Sequence, residues 1–268
     1  MSANAPATSN TLSAERITEI VASPDRSTAD RTNDLRRKPE LTLAFIGVRP
    51  GMVALDLSAG GGYTTELLAR AVGLSGRVYG QSAPRNPNNQ PRAGVAPEGN
   101  ANPSTASNKV DVSAAPRQPR PPSSELLAER AKNPIVRNII PVVRKFEDPI
   151  PEEVKAGRLD LVTIMFNYHD LVNMNVDRSK MNQAVFSSLK SGGIYVIADH
   201  SGKPDTGISE TGTLHRIDES FLRKEVESGG FKFVAQGNFL RNPSDPRDKN
   251  TPEPPQPKDE FFLKFVKP

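Results

Sequence analysis

Asp56 and the unbroken run Gly60-Gly61-Gly62 close a short apolar stretch, Met52 to Leu57, and open a helix-period segment through Leu67, Leu68 and Ala71. Glycine permits the left-handed backbone and carries no Cβ to hold a ligand away, and the free N–H groups at the following helix start attract polar or anionic groups. That is the chemistry of a turn that cradles a nucleotide-like cofactor. A second reactive set lies further on: Asn167-Tyr168-His169-Asp170 directly follows the apolar run Leu159 to Phe166, and Asp199-His200 follows Ile194 to Ala198. Histidine titrates near neutral pH and serves as a base or as a metal ligand. The three histidines, His169, His200 and His215, are all expected in loops, two of them immediately after buried strands.

The chain has 268 residues, 35% of them hydrophobic, enough for one large α/β domain or two small ones. Lys and Arg number 35 against 31 Asp and Glu, and the signs are well mixed, which is a weak basis for a nucleic-acid partner. The absence of cysteine excludes disulfides, thiolate zinc sites and a cysteine nucleophile. Residues 1–30 contain no apolar run of signal-peptide length, and none anywhere approaches the ~20 residues of a membrane span. The reading is a soluble chain with no nucleic-acid or membrane partner, cytoplasmic, or periplasmic if an export signal has been removed.

These reactive residues need a scaffold, and the periodicity supplies one. Residues 1–38 read as a polar tail with short helices: Ser13 caps a helix bearing Ile17, Ile20 and Val21, and Pro24 stops it. The charged Asp30 to Lys38 stretch reads as a solvated face, or functionally as a lid over the cofactor. Pro39 starts a helix that Gly47 closes. Strand, turn, helix and strand then run from Gly51 to Gln81. Residues 82–122 hold nine prolines and six asparagines and no Leu, Ile, Phe, Met, Tyr or Trp, so this insertion is expected to be disordered. Ser123 or Ser124 caps the next helix, and a strand is expected over Ile135 to Val143. The strand Leu159 to Phe166 reads as buried on both faces. Asp177 caps a helix that Gly192-Gly193 should terminate, Ile194 to Ala198 is a strand, and Asp218 caps the last helix before the strands Phe231 to Ala235 and Phe261 to Val266. Strands alternating with helices imply a doubly wound, mostly parallel α/β sheet, with one antiparallel edge strand from the helix-free C-terminal hairpin.

Together the elements from about Pro39 to Pro268, minus the insertion, resemble a class I S-adenosylmethionine-dependent methyltransferase. The likeness is carried by Leu55-Asp56-Leu57-Ser58-Ala59-Gly60-Gly61-Gly62, by Leu189-Lys190-Ser191-Gly192-Gly193 and by the terminal hairpin. Arg37-Lys38-Pro39, Tyr168-His169-Asp170, Asp199-His200 and Leu214-His215-Arg216-Ile217-Asp218 in combination resemble a bacterial family of predicted methyltransferases. Two positions depart from the pattern. Ser58 takes the place of the first glycine, and Gln81 ends the second strand where a carboxylate usually takes both ribose hydroxyls.

The resemblance implies a Rossmann-like methyltransferase sheet, S-adenosylmethionine as cofactor and a small-molecule substrate. It places Asp56, Ser58, Gly60, Gly62, Tyr63, Gln81 and Asn167 at the cofactor, with Glu147 or Asp148 accepting from the adenine amino group. His169 is the first choice as base, with Asp170 or Asn167 orienting it, and His200 is the second. No metal is assigned. A set of His200, Asp199 and His215 around a divalent ion is the lesser alternative, and a methyltransferase fold that binds without transferring is another. Asn167-Tyr168 lacks the two prolines of the nucleic-acid amino-methyltransferase motif, which excludes that activity.

Overall fold

The buried apolar runs become neighbouring strands of one sheet. The computed structural model describes residues 11–85, 121–250, 252 and 256–268. Its seven strands are β1 (Val53–Leu57), β2 (Arg77–Ser82), β3 (Ile139–Val143), β4 (Leu159–Met165), β5 (Leu189–His200), β6 (Lys232–Gly237) and β7 (Glu260–Val266), in the order β3-β2-β1-β4-β5-β7-β6. The first five pair in parallel, and β7 runs antiparallel to both β5 and β6. The doubly wound α/β sheet with its antiparallel C-terminal hairpin is as expected. Within the hairpin, β7 takes the inner place because nearly all its side chains are buried, whereas the alternately exposed β6 forms the rim.

Among the described residues, eight α-helices accompany the sheet: α1 (Ala14–Ala22), α2 (Thr28–Arg37), α3 (Pro39–Ile46), α4 (Tyr63–Val72), α5 (Ser123–Arg130), α6 (Tyr168–Asn173), α7 (Arg178–Ser188) and α8 (Glu219–Ser228). Strand alternation divides the core into two layers. Leu55, Leu57, Val162, Ile164, Tyr195 and Ile197 face one side, while Ala54, Leu161, Val196, Ala198 and Phe262 face α1, α3 and α4 on the other. Ser13, Asp177 and Asp218 cap their helices as anticipated. Among the described residues no helix is long and apolar enough to cross a membrane.

Four local expectations are corrected. Gly192-Gly193 do not end α7, which stops at Ser188. They lie inside β5, where Gly192 adopts φ 75° next to an irregularity in the β4–β5 pairing. The strand expected from Ile135 starts only at Ile139, because Pro134–Val136 form a 3-10 turn capped by Asn133. Pro122, rather than a serine, occupies the N-cap of α5. Tyr168-His169-Asp170 form the first turn of α6 and not a loop, and His200 is the last residue of β5. All but the last residue of the expected tail, Met1 to Thr11, and most of the expected insertion, residues 86–120, lie outside the described residues.

Candidate active site

Because β1, β4 and β5 are parallel neighbours, their carboxyl ends open on the same side of the sheet, the place where such sheets bind ligands. At the end of β1, Asp56 is buried and accepts hydrogen bonds from the hydroxyls of Thr65 (2.6 Å) and Thr163 (2.8 Å). Burial pushes its carboxyl up to about 6 against the pull of these donors. The folded state thus holds the proton more tightly than the unfolded chain. The stability this contributes is full below the ordinary value of 3.8 and is lost as pH rises through about 6. A shift of about two units corresponds to ~3 kcal/mol. Asp56→Asn is therefore expected to flatten the fall in stability between about pH 4 and pH 7, read from urea midpoints across that range.

Ser58 adopts the left-handed conformation (φ 55°) that the first glycine of the turn would take. Its N–H donates to Gln81 Oε1 at 3.0 Å, and Gln81 Nε2 donates to the Arg144 carbonyl at 2.7 Å. Gln81 is wholly buried. Its amide ties together the ends of β1, β2 and β3, which needs a donor and an acceptor that no carboxylate combines. Gly62 has φ 83°, and a Cβ there would stand 2.7 Å from Leu127 Cδ2. Helix α5 closes over the turn, with Ser123 Oγ on the Gly60 carbonyl and Arg130 Nε on that of Gly61 (2.6 Å).

Tyr63 is tied to α2. Its hydroxyl, pushed upward by burial and by Asp34, donates to Asp34 Oδ1 at 2.7 Å. Asp34 in turn receives both Arg26 amines at 2.7 and 2.8 Å, while Asp30 pairs with Arg130 and Asp25 with Arg70. The charged stretch is thus a capped helix, α2, joined to α4 by the Tyr63–Asp34 hydrogen bond and to α5 by the Asp30–Arg130 ion pair, beside the glycine turn. Glu147 and Asp148 lie beyond β3. Glu147 accepts from the Asp177 N–H at 3.4 Å, and Asp148 pairs with Arg144 and Lys155.

The second set of reactive residues is joined to the turn by an unbroken line of contacts. Ser58 Oγ donates to Asn167 Oδ1 (2.6 Å), and Asn167 Nδ2 donates to Asp170 Oδ2 (3.1 Å). Asp170 Oδ1 stands 3.3 Å from His169 Nε2 and 3.2 Å from His215 Nδ1. On its other side His169 Nδ1 meets Asp199 Oδ1 at 2.6 Å, and Asp199 also receives the backbone N–H groups of His169 (2.8 Å) and His200 (2.9 Å). The β5–β7 register sets His200 opposite Glu260, with Nδ1 and Oε1 3.1 Å apart. Burial raises the Glu260 carboxyl, but His200, Arg36 and Arg37 outweigh it and hold the group below the usual range.

His169, His200 and Asp199 are fully buried, whereas Asp170 and His215 keep side-chain exposures of 21% and 20%. Those two therefore present the cluster to any bound molecule. Asp199 holds Nδ1 of His169, while Asp170, expected as the orienter, stands 3.3 Å from Nε2 on the other side of the ring. The residues whose ligand atoms converge are His169, Asp170 and His215, in place of the set His200, Asp199 and His215. His215 was expected, as the lesser alternative, with His200 and Asp199, and not beside His169 and Asp170.

No family model matches the sequence, and no curated protein is significantly similar to it. Among solved structures the chain is similar to a SAM-dependent methyltransferase from Aquifex aeolicus, at 15% identity over 90% of this chain and 99% of that one, with a TM-score of 0.54. A chain of a complex containing the Haloferax volcanii Trm112 methyltransferase activator is also 15% identical, over 96% and 100% of the two chains, with a TM-score of 0.54. The [4+2]-cyclase SpnF is 12% identical over 89% and 80%, with a TM-score of 0.55. At these identities what is shared is the fold, and it is the α/β fold of SAM-dependent methyltransferase structures.

Proposed function

We propose that this chain is an S-adenosylmethionine-dependent methyltransferase acting on a small-molecule acceptor. The observation that carries the reading is the line of contacts from Ser58 in the glycine turn to the His169–Asp199 pair, within a methyltransferase-like sheet. It joins a cofactor-type turn to groups that can manage a proton.

The residues fit such a cofactor. Beside the turn lies a pocket lined by Arg37, Tyr63, Thr64, Leu67, Met165 and Phe166. A guanidinium and the start of α4 suit a carboxylate, and the apolar wall suits a methylene chain. In this reading Arg37 and α4 take the amino-acid end, Ser58, Gly60 and Gly62 offer backbone to it, and Asp56 shapes the turn through Thr65. Asn167 reaches the cofactor from the end of β4, and Glu147 or Asp148 serves the adenine. Tyr63 and Gln81 act through the elements they tie together.

The cofactor would supply a methyl group on a sulfonium that is already activated, so the chain's task is alignment and removal of the acceptor's proton. Asp170 and His215 face the acceptor. Asp199 keeps the His169 ring turned toward Asp170, and α2 excludes water from the turn. Calorimetry with S-adenosylmethionine should give a saturable heat and a thermal shift, with about 2.7 kcal/mol of added stability at a hundredfold excess over Kd. Absence of both at millimolar cofactor would overturn the proposal. Binding without transfer to any small molecule would instead mark a binding protein of the same fold.

A further inference from the structure

We infer that His169, Asp170 and His215 form a site for one divalent transition-metal ion, which meets a hydroxyl of the acceptor. Binding of the ion stands on these residues alone, while the role toward an acceptor rests on the methyltransferase reading.

Two adjacent residues of α6 and one from the loop after β5 each offer a ligand atom, and the three atoms lie within 4.8 Å of one another. The spacing suits a shared cation. Metal–ligand bonds of about 2.0–2.2 Å put neighbouring ligand atoms about 3.0 Å apart at right angles and about 3.4 Å apart at tetrahedral angles. Asp170 Oδ1 stands 3.3 and 3.2 Å from the two histidine nitrogens. Direct charge-assisted N–H···O bonds run shorter, at about 2.7–2.9 Å.

The surroundings point the same way. Asp199, 2.6 Å from Nδ1 of His169, favours the tautomer with its proton there, which turns the Nε2 lone pair toward Asp170. A lone pair and a carboxylate oxygen then face each other, an arrangement that a cation between them stabilises. The second Asp170 oxygen is held by Asn167, so Oδ1 is the one aimed at the histidines. A carboxylate behind one ligand histidine and an amide behind the ligand carboxylate are the outer partners metal sites require. Two imidazoles and one carboxylate favour zinc, iron, cobalt or manganese over calcium or magnesium, and three ligands leave coordination positions open on the exposed side. An ion there lowers the pKa of the acceptor hydroxyl. The proton leaves to water, the oxygen takes the methyl group, and the sulfonium becomes a neutral thioether.

The test uses the untagged full chain, stripped with a chelator and titrated with cobalt(II), reading visible absorbance and calorimetric heat. One equivalent with visible ligand-field bands is expected, and His215→Ala, at a partly exposed position, should abolish the stoichiometric signal while far-UV circular dichroism stays unchanged. No cobalt signal at millimolar concentration, or one undiminished by His215→Ala, would overturn the site. Titration of the same metal-free protein with S-adenosylmethionine separates the two readings. Cofactor heat without a cobalt signal removes only the metal, and a cobalt signal without cofactor heat removes only its methyl-transfer role.

Discussion

Asp170→Asn is expected to lower methyl transfer by about 10²–10⁴-fold, the span that a positioned acid–base group contributes. Asp170 is where the two halves of the site meet: one oxygen takes the Asn167 amide, and the other faces both His169 and His215. The asparagine keeps the shape but loses the negative charge that both imidazole nitrogens face across the shared oxygen. About a fifth of the side chain is exposed and asparagine is close to it in size, so the fold should be kept, which the denaturation curve checks. The readout is incorporation of labelled methyl from the cofactor into a small-molecule extract, beside a denaturation curve and a cofactor titration. Unchanged cofactor affinity with lost transfer places Asp170 on the acceptor side. Transfer within threefold of the parent would show that Asp170 takes no part in it.

The parallel sheet was legible because its evidence is local. Leu159 to Met165 is a mostly apolar run largely buried on both faces, and Gly60 and Gly62 stand where the backbone turns left-handed. Helix α2 was not legible, since it has almost no apolar face and is held by partners far away in the chain, such as Arg130 for Asp30 and Tyr63 for Asp34. The same limit applied to the site. That His169 and His200 end up near each other followed from their places after neighbouring strands. That Asp199 would turn to His169 and His200 to Glu260 depends on which face of β5 each side chain takes and on the β5–β7 register. Gln81 looked like a flaw in a cofactor motif. Its two hydrogen bonds show a structural need for an amide, visible only once the Arg144 carbonyl and the Ser58 N–H are seen on either side of it.

His215 reaches Asp170 because its neighbour Arg216 anchors the loop, and Arg216→Met is expected to destabilise the protein by about 3–5 kcal/mol. Arg216 is wholly buried. Its amines pair with Asp245 at 2.8 and 3.1 Å and reach the Ser201 carbonyl at 3.0 Å, while Nε and Nη2 donate to the Lys249 carbonyl at 3.2 and 3.1 Å. The loop after β5 is thereby fastened to the β6–β7 loop, and the Ile217 N–H returns to the His200 carbonyl at 3.0 Å. Methionine fills the volume but leaves the Asp245 carboxylate buried with only the backbone N–H groups of Arg247 and Asp259 as donors. The loss would be a large part of the ~5–15 kcal/mol that holds a typical domain together. A double mutant with Asp245→Leu should recover part of it, since replacing both members of a buried pair costs far less than removing one, but those two backbone donors would then lack their acceptor. Urea denaturation of the two single variants and the double variant measures the coupling. A coupling near zero would mean that Arg216 stabilises through the carbonyls alone. A loss below about 1 kcal/mol from Arg216→Met would overturn the anchoring role, and with it the account of why a left-handed His215 (φ 52°) keeps its place beside Asp170.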